Sequence, residues 1–392
     1  MRVLCSAVPM EGHVRPLLPV AQALLRAGHN VRLATGPELH DLVRAAGIHP
    51  VAAGPSCELA FGTVERDPRF AELSFIQRAP VAFSQVIAPA KLPDLEQIVA
   101  EWRPDLIVHE CTDLAGPIAA AVAGLPAVTQ GWGLVPLPGR TVPDPADVVA
   151  LWRSRGVEPD PYAGIFGAVH LHPMPSSLEP DAHVPVGFLQ PMRFGTAPVA
   201  GATLPAWVDR LDPAHRPVIY VSLGTHTYFS RPEFFRTILD GLSLRGLDAD
   251  VVVTVGVHND PHSVGSQLPN VHVEGWLPLT HLLPRCSLVI CHAGSGTLLA
   301  GLAAGLPLLL LPRGADQFEN SAASERAGVA RVVAPETLTA DAIADGVEQL
   351  LMCVTYREAA ARVRADIEAM PAPSDVVPLL EQLARENRRA PR

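Results

Sequence analysis

The chain has 392 residues, of which 48% are hydrophobic and 18% are charged, a composition typical of a large globular protein rather than a disordered one. At roughly 100–200 residues per domain, this length predicts two domains. The formal net charge of -10, without a basic run before the C-terminal tail, argues against a nucleic-acid partner, which would require a basic face.

The sequence offers no sign of membrane insertion or export. No apolar run approaches the ~20 residues that a membrane helix needs, and the N-terminal apolar stretch is too short for a signal peptide. The six cysteines are scattered without a CxxC pair, which favours buried, reduced thiols. We therefore expect a cytoplasmic protein without stable membrane association.

The first half of the chain alternates short apolar strands with amphipathic helices, several of which end at glycine. This alternation predicts a parallel, doubly wound sheet. The predicted elements, in chain order, are strand Val3–Val8, helix Leu17–Ala27, strand Val31–Thr35, helix Glu38–Ala46, strand Leu106–His109, helix Gly116–Ala123 and strand Ala127–Gln130.

The same alternation begins again after a stretch rich in proline, glycine and alanine. The predicted elements are strand Val218–Ser222, helix Phe234–Leu244, strands Val251–Val255, Val271–Glu274 and Leu288–Cys291, helix Thr297–Ala304, strand Pro307–Leu311 and a terminal helix over about Ser374–Arg389.

We therefore expect an α/β protein with two Rossmann-like domains. The predicted boundaries are 1–190, a linker over 191–215, and 216–373, with the C-terminal helix at about 374–392 packing back on the first domain. In such folds ligands bind at the carboxyl ends of the strands, so we expect the two sheets to face each other across a deep cleft.

A turn of small residues follows the predicted strand Leu288–Cys291 and leads into a helix. It reads His292-Ala293-Gly294-Ser295-Gly296-Thr297. Free backbone N–H groups and the positive end of the helix converge there, which predicts a phosphate site. His292 can add a hydrogen bond or a charge. The alternative is an ordinary tight turn in which Thr297 only caps the helix.

The loop after the first strand carries a histidine, within the run Pro9-Met10-Glu11-Gly12-His13-Val14. An imidazole at this place could remove a proton from a hydroxyl group. Glu110 and Asp113 follow the predicted strand at 106–109, on the same edge of the same sheet, and either could orient His13 and stabilise its protonated form. Asp113 could instead cap the helix that starts near Ala115.

An acid and an amide stand side by side after the predicted strand Pro307–Leu311. Asp316 and Gln317 suit hydrogen bonds to sugar hydroxyl groups. By themselves they are more typical of a solvated loop.

Together these motifs resemble the family 1 glycosyltransferases of the GT-B fold, in particular the bacterial natural-product branch. The resemblance spans nearly the whole chain. Its motifs are the Gly12-His13 loop, the turn Ser222-Leu223-Gly224-Thr225, and the block from Gly275-Trp276-Leu277-Pro278 through the His292 turn to Asp316-Gln317.

The resemblance implies a role for each matching residue. Trp276 and the Leu277 backbone would hold the pyrimidine base, and Asp316 and Gln317 the transferred sugar. His13 would be the general base, with Glu110 or Asp113 as its acidic partner. The diphosphate would be bound by His292, Gly294, Ser295, Gly296 and Thr297, flanked by Ser222 and Thr225.

One departure from the family bears on the donor. Plant members that use UDP-sugars carry, eight residues after the motif histidine, a glutamate that binds the ribose hydroxyls. Here that position is Ala300. A site without this carboxylate loses little on a ring that lacks the 2′-hydroxyl, which predicts a dTDP-deoxysugar donor.

The resemblance thus implies an inverting transfer of a deoxysugar to a hydroxyl group of a hydrophobic acceptor such as a polyketide aglycone. Neither a cofactor nor a metal is expected, and dimerisation is an expectation from the family alone. Two alternatives remain open: a different reaction on the same fold, such as C-glycosylation or sugar-nucleotide epimerisation, and a non-catalytic homologue that assists a partner transferase.

Overall fold

A computed structural model describes residues 1–135, 142–179, 189–195, 203–244, 246–257, 259–265 and 268–389. The chain divides into two compact units. Within the described residues, the first unit comprises 1–135, 142–173, 189–195 and 370–389, and the second comprises 174–179 and 203–369 with the gaps given above. The predicted linker at 191–215 falls partly on residues outside the described ranges.

The first unit is built on a seven-stranded, all-parallel sheet with the order β3-β2-β1-β4-β5-β6-β7. Its strands are β1 (Arg2–Ser6), β2 (Asn30–Thr35), β3 (His49–Ala52), β4 (Leu106–Glu110), β5 (Ala127–Gln130), β6 (Val169–His172) and β7 (Leu189–Pro191).

Helices cover both faces of this sheet. They are α1 (Glu11–Val14), α2 (Leu18–Arg26), α3 (His40–Ala45), α4 (Cys57–Arg66), α5 (Phe75–Val81), α6 (Ala88–Trp102), α7 (Ala115–Ala123), α8 (Val149–Ser154) and α15 (Val377–Arg389). A π-helical segment at Ala82–Ile87 joins α5 to α6.

Burial on both faces explains why the central strands β1 and β4 carry successive apolar residues instead of alternating apolar and polar ones. Val3 and Cys5 face a core that includes α2 and α15, whereas Leu4 faces a second core against α6 and α7. Helix α7 ends because Gly124 adopts a left-handed conformation at φ 62°, which a glycine adopts without steric cost.

The second unit repeats this plan with a six-stranded parallel sheet of order β10-β9-β8-β11-β12-β13. Its strands are β8 (Val218–Ser222), β9 (Asp250–Thr254), β10 (Val271–Glu274), β11 (Leu288–Cys291), β12 (Leu308–Leu310) and β13 (Ala330–Val332). Its helices are α9 (Pro232–Leu244), α10 (Leu279–Leu282), α11 (Ser295–Ala303), α12 (Gln317–Arg326), α13 (Ala340–Met352) and α14 (Val354–Ala369).

The predicted fold class, α/β with two Rossmann-like sheets, is confirmed. Two details differ from the sequence-based expectations. Residues 174–179 associate with the second unit, where a short 3-10 helix at Ser176–Leu178 contacts α12 and α14. In addition, Cys57 is only half-buried and Cys353 is exposed, although buried thiols were expected.

The terminal helix α15 belongs to the first unit. Val377 and Leu380 enter the core beside α2, and the side-chain amide of Asn387 donates to the Gly124 carbonyl at 2.9 Å. Over the described ranges, no helix combines the length and the apolar character needed to cross a bilayer.

Candidate active site

The catalytic residues predicted in the first unit lie where the neighbouring strands β1 and β4 end, beside the end of β5. His13 is in the short helix α1 that follows β1, Glu110 is the last residue of β4, and Trp132 follows β5. Because parallel strands end at the same edge of a sheet, residues 119 positions apart in the sequence become neighbours.

The structure joins His13 to Glu110. Nδ1 of the imidazole lies 3.2 Å from Oε2 of the carboxylate, which is fully buried, whereas the His13 side chain keeps 17% of its surface exposed. When Nδ1 carries the proton shared with Glu110, Nε2 has the free lone pair that a general base needs.

Several donors hold the Glu110 carboxylate in place. It accepts hydrogen bonds from the backbone N–H of Thr112 at 2.8 Å, from the Thr112 hydroxyl at 2.8 and 2.9 Å, and from the Trp132 indole N–H at 3.3 Å. Burial by itself raises the pKa of the Glu110 carboxyl, but His13 and the Thr112 hydrogen bonds outweigh it and hold the pKa below its ordinary value. Glu110 is therefore ionised at neutral pH and suited to orient and stabilise a protonated His13.

Asp113, the other candidate partner of His13, is placed elsewhere by the structure. Its Oδ2 lies 2.6 Å from Nζ of Lys91, and it also accepts from the hydroxyl group of Ser6. Its Oδ1 accepts from the backbone N–H of Gly116 at 3.3 Å, near the start of α7. Asp113 thus forms a buried ion pair and caps a helix, and Glu110 is the carboxylate at His13.

An aromatic cluster adjoins His13. The rings of Phe83 and Trp132 pack edge-on against the imidazole at centroid distances of 5.5 and 5.9 Å, and Phe61 contacts Phe83 and stacks on Phe75 at 4.9 Å. Most of these rings are only partly buried, so apolar surface is offered next to the base. By contrast, Trp152 belongs to the core of the first unit.

The nucleotide-site residues predicted in the second unit lie after the ends of its strands. Ser222 ends β8 and is followed by Gly224 and Thr225, and Trp276 and Leu277 follow β10. Trp276 is half-buried, whereas the Leu277 side chain is almost wholly covered.

His292 is held between two glycines. A Cβ atom added to Gly224 would lie 2.7 Å from Cε1 of the ring, and one added to Gly294 would clash with Nε2. Burial, reinforced by the charge of Arg313, lowers the pKa of His292 to about 4. The ring is therefore neutral at pH 7, so of the two roles predicted for it, hydrogen bonding is available and a fixed charge is not.

The small-residue turn opens the helix α11. Gly294 is its N-cap residue in extended conformation, Ser295 is the first helical residue, Gly296 is exposed and Thr297 is half-buried. A Cβ atom on Gly296 would meet nothing within 4 Å. The N-terminal N–H groups of α11 are therefore approachable by an anion.

A polar network links this turn to the loop after β12. Asp316 Oδ2 accepts from the Ser295 hydroxyl and from the Asn320 amide, each at 2.8 Å, and Asn320 also donates to the Ala293 carbonyl at 3.0 Å. The predicted sugar residue Asp316 is thus fixed relative to the predicted phosphate turn. Gln317 is buried, and its side-chain oxygen accepts from the backbone N–H of Arg313 at 2.8 Å.

Sequence reasoning missed several of these residues. Thr112 and Asn320 carry ordinary polar side chains with no motif of their own, although Asn320 lies four residues after Asp316 and hence on the same face of α12. Arg313 was overlooked because its neighbour in space, Phe234, is 79 residues away in the sequence.

Comparison with known proteins gives consistent matches across the chain. Residues 22–224 match the N-terminal domain model described as erythromycin biosynthesis protein CIII-like, and residues 236–383 match the C-terminal domain model of the same description.

Individual relatives match over nearly their full length. The chain is 30% identical to tylactone mycaminosyltransferase of Streptomyces fradiae, covering 99% of this chain and 93% of the relative. It is 29% identical to the TDP-daunosamine transferase DnrS of Streptomyces peucetius, covering 99% and 98%. Among solved structures, the glycosyltransferase SnogD from Streptomyces nogalater is 32% identical, with a TM-score of 0.76 and coverage of 98% and 99%.

Proposed function

Since the chain belongs to the erythromycin biosynthesis protein CIII-like family and is a glycosyltransferase of the GT-B type, we propose that it moves a deoxysugar from a dTDP-sugar to a hydroxyl group of a hydrophobic acceptor, such as a polyketide aglycone. The observation that carries the catalytic part of this proposal is the contact between His13 and the buried carboxylate of Glu110.

The order of the site residues along the second sheet supports the donor assignment. Trp276 follows β10, the His292 turn follows β11 and Asp316 follows β12. With strands ~4.8 Å apart, β10 and β11 are separated by three spacings, or about 14 Å, whereas β11 and β12 are adjacent. Base, diphosphate and sugar follow one another in this order in a nucleotide sugar.

The choice of dTDP rests on two observations. Ala300, buried in α11, stands where a ribose-binding glutamate would favour a UDP-sugar, and the relative DnrS is named for a TDP-sugar. A thymidine nucleotide lacks the 2′-hydroxyl that such a carboxylate would bind.

The proposed reaction is a single displacement at the anomeric carbon. His13 takes the proton of the acceptor hydroxyl, the new carbon–oxygen bond forms, and the bond to the diphosphate breaks on the opposite face, which inverts the configuration. The negative charge on the departing nucleotide is stabilised by the neutral His292 and by the N–H groups that begin α11, without need of a metal ion.

The test is a transfer assay with a panel of dTDP- and UDP-sugars and mixed polyketide acceptors, with and without EDTA. We expect transfer from a dTDP-sugar, unaffected by EDTA, with inverted configuration in the product. His13→Ala should abolish it, and exposed His49→Ala should not. A strong preference for UDP-glucose, or a retained configuration, would contradict the proposal.

The same assay separates the two alternatives. A carbon–carbon linkage to the sugar in the product would indicate C-glycosylation. If the chain bound the donor but transferred the sugar to no acceptor, and transfer appeared only when a partner transferase was added, the assisting role would be indicated.

A further inference from the structure

A polar pocket lies at the carboxyl edge of the sheet in the second unit. It has a volume of about 200 Å³ and is lined by Tyr228, Arg231, Phe234, Arg313 and Pro335. The first three lie on the segment from the end of β8 into α9, whereas Arg313 follows β12 and Pro335 follows β13. One water molecule takes ~30 Å³ of liquid volume, so the pocket has room for a small polyatomic ion.

Two guanidinium groups share one aromatic ring in this pocket. The central carbon of Arg313 lies 3.1 Å from the centre of the Phe234 ring, and that of Arg231 lies 5.3 Å from the same ring and 5.5 Å from the ring of Tyr228. Burial, together with the charge of Arg231, lowers the pKa of Arg313 to about 10, which leaves the Arg313 guanidinium charged at neutral pH.

The carboxylate of Glu233 is the counter-charge of these cations: it lies 3.5 Å from Arg231 and also acts on Arg313 from farther away. Throughout the part of the chain that the structure describes, Arg313 forms no ion pair within 4 Å, and its buried Nε has no hydrogen-bond partner. Half-burying a cation without an anion is unfavourable, and the planar fork of a guanidinium matches two phosphate oxygens.

The pocket adjoins the turn proposed to bind the diphosphate. The ring of Phe229 contacts the rings of Tyr228 and His292 at centroid distances of 5.2 and 5.6 Å, so Phe229 contacts both the pocket and the turn. Arg313 follows β12, the strand next to β11 on the side away from Trp276. The thirteen-residue helix α9 also begins beside the pocket, and the partial positive charge of its N-terminus adds to that of the arginines.

Resting on the donor assignment above, we propose that this pocket binds the β-phosphate of the nucleoside diphosphate, the phosphate that carries the sugar, through Arg313, with Arg231 as the second cation. This phosphate gains negative charge when its bond to the sugar breaks. Arg313 would then stabilise the leaving group as well as the bound donor.

The test is calorimetric titration of the full chain with thymidine, thymidine monophosphate, thymidine diphosphate and inorganic phosphate. In Arg313→Gln we expect the affinity for the diphosphate to fall by about 10- to 100-fold, the range for a lost charge-assisted hydrogen bond, and that for the monophosphate to change by less than about 3-fold. The affinity of Arg313→Lys for the diphosphate should lie between those of Arg313→Gln and the native protein, because lysine keeps the charge and lacks the planar guanidinium fork.

Arg285→Gln is the matched control, since it also removes one arginine. Arg285 precedes β11, at the opposite edge of the sheet, and donates to the Asp209 carboxylate. An equal loss for monophosphate and diphosphate in Arg313→Gln would overturn the β-phosphate assignment, and so would no loss at all. Inorganic phosphate that binds undisturbed by saturating thymidine diphosphate would overturn it too, by indicating an independent anion site. If the native protein bound neither nucleotide, the proposed donor itself would fail, which is a distinct result.

Discussion

Nδ1 of His13 lies 3.2 Å from Oε2 of Glu110, a carboxylate with no exposed surface. The two side chains come from the loop after β1 and the end of β4, neighbouring strands whose ends meet although 97 residues separate them in the sequence. A base next to a fixed buried carboxylate is the arrangement that orients an imidazole and stabilises its protonated form.

Replacing Glu110 with glutamine should therefore reduce catalysis without weakening donor binding. We expect kcat to fall by about 100- to 10,000-fold, because the neutral amide no longer stabilises protonated His13 or selects its tautomer. Affinity for thymidine diphosphate should stay within a factor of two or so. The control is Glu96→Gln on α6, which removes the carboxylate that pairs with Arg155 and should keep native kcat. Native kcat in Glu110→Gln would remove Glu110 from the mechanism.

Asp316→Asn should act on the sugar rather than on the nucleotide. The carboxylate accepts from Ser295 and Asn320 at 2.8 Å, and an amide there would turn a donor toward one of these groups. We expect the KM for the nucleotide sugar to rise by about 10-fold or more while the affinity for thymidine diphosphate changes little. Exposed Asp341→Asn on α13 is the control. Equal weakening of both ligands would argue that Asp316 only holds the turn together.

Gly224→Ala should displace His292. The added methyl would lie 2.7 Å from Cε1 and Nε2 of the ring, and the position has φ 85°, which an alanine adopts only with strain. The control is Gly246→Ala, which shares the positive φ at 60° but has no atom within 4 Å of the added Cβ. We expect loss of diphosphate binding in the first variant alone. If both variants bound thymidine diphosphate equally well, the placement of His292 would not matter for the donor.

Lys91→Met should destabilise the first unit strongly. The lysine is fully buried, lies 2.6 Å from Asp113 Oδ2 and donates to the Ala7 carbonyl at 2.6 Å. Removing one member of a buried ion pair leaves the other charge uncompensated, which costs about 3–5 kcal/mol. Thermal unfolding should show the loss, and Lys91→Met with Asp113→Leu should recover part of it. An unchanged melting temperature in the single variant would show that the pair is dispensable.

Acid should weaken the fold through buried neutral histidines. Burial, with a contribution from His172, lowers the pKa of His170 to about 3, and that of His292 is about 4. Between these values and the ordinary pKa of 6.5, the unfolded chain binds more protons than the folded one. The contribution of these histidines to the free energy of unfolding is therefore fully present above pH 6.5. Below that pH it falls as the pH falls, by up to about 1.4 kcal/mol per pH unit for each histidine.

Melting temperatures measured from pH 7 to pH 4 check this pH dependence. His170→Gln should flatten the slope, whereas exposed His49→Gln should keep the native slope. A native slope in His170→Gln would mean that other groups cause the acid sensitivity.

Much of the architecture could be predicted from the sequence. The strands β5, β8, β10 and β11 have the predicted bounds. For β8 and β11 the reason is that a strand buried on both faces is a short apolar run between turn residues. The loops that carry His13, His292 and Asp316 were found for the same reason, since each follows such a run. The helices α5 and α6 were not predicted, because Pro80, Pro93 and the π-helical segment interrupt their periodicity.

What the sequence left open was decided by contacts between distant segments. Glu110 and Asp113 both stood as candidate partners of His13, with Glu110 the better match to the family, and the structure pairs Asp113 with Lys91 instead. In the same way, His292 could have been charged or neutral, and burial beside Arg313 made it neutral. Strand order and burial set which side chains meet and how far each is desolvated. Neither quantity is a property of a local sequence pattern, so only the tertiary structure could decide them.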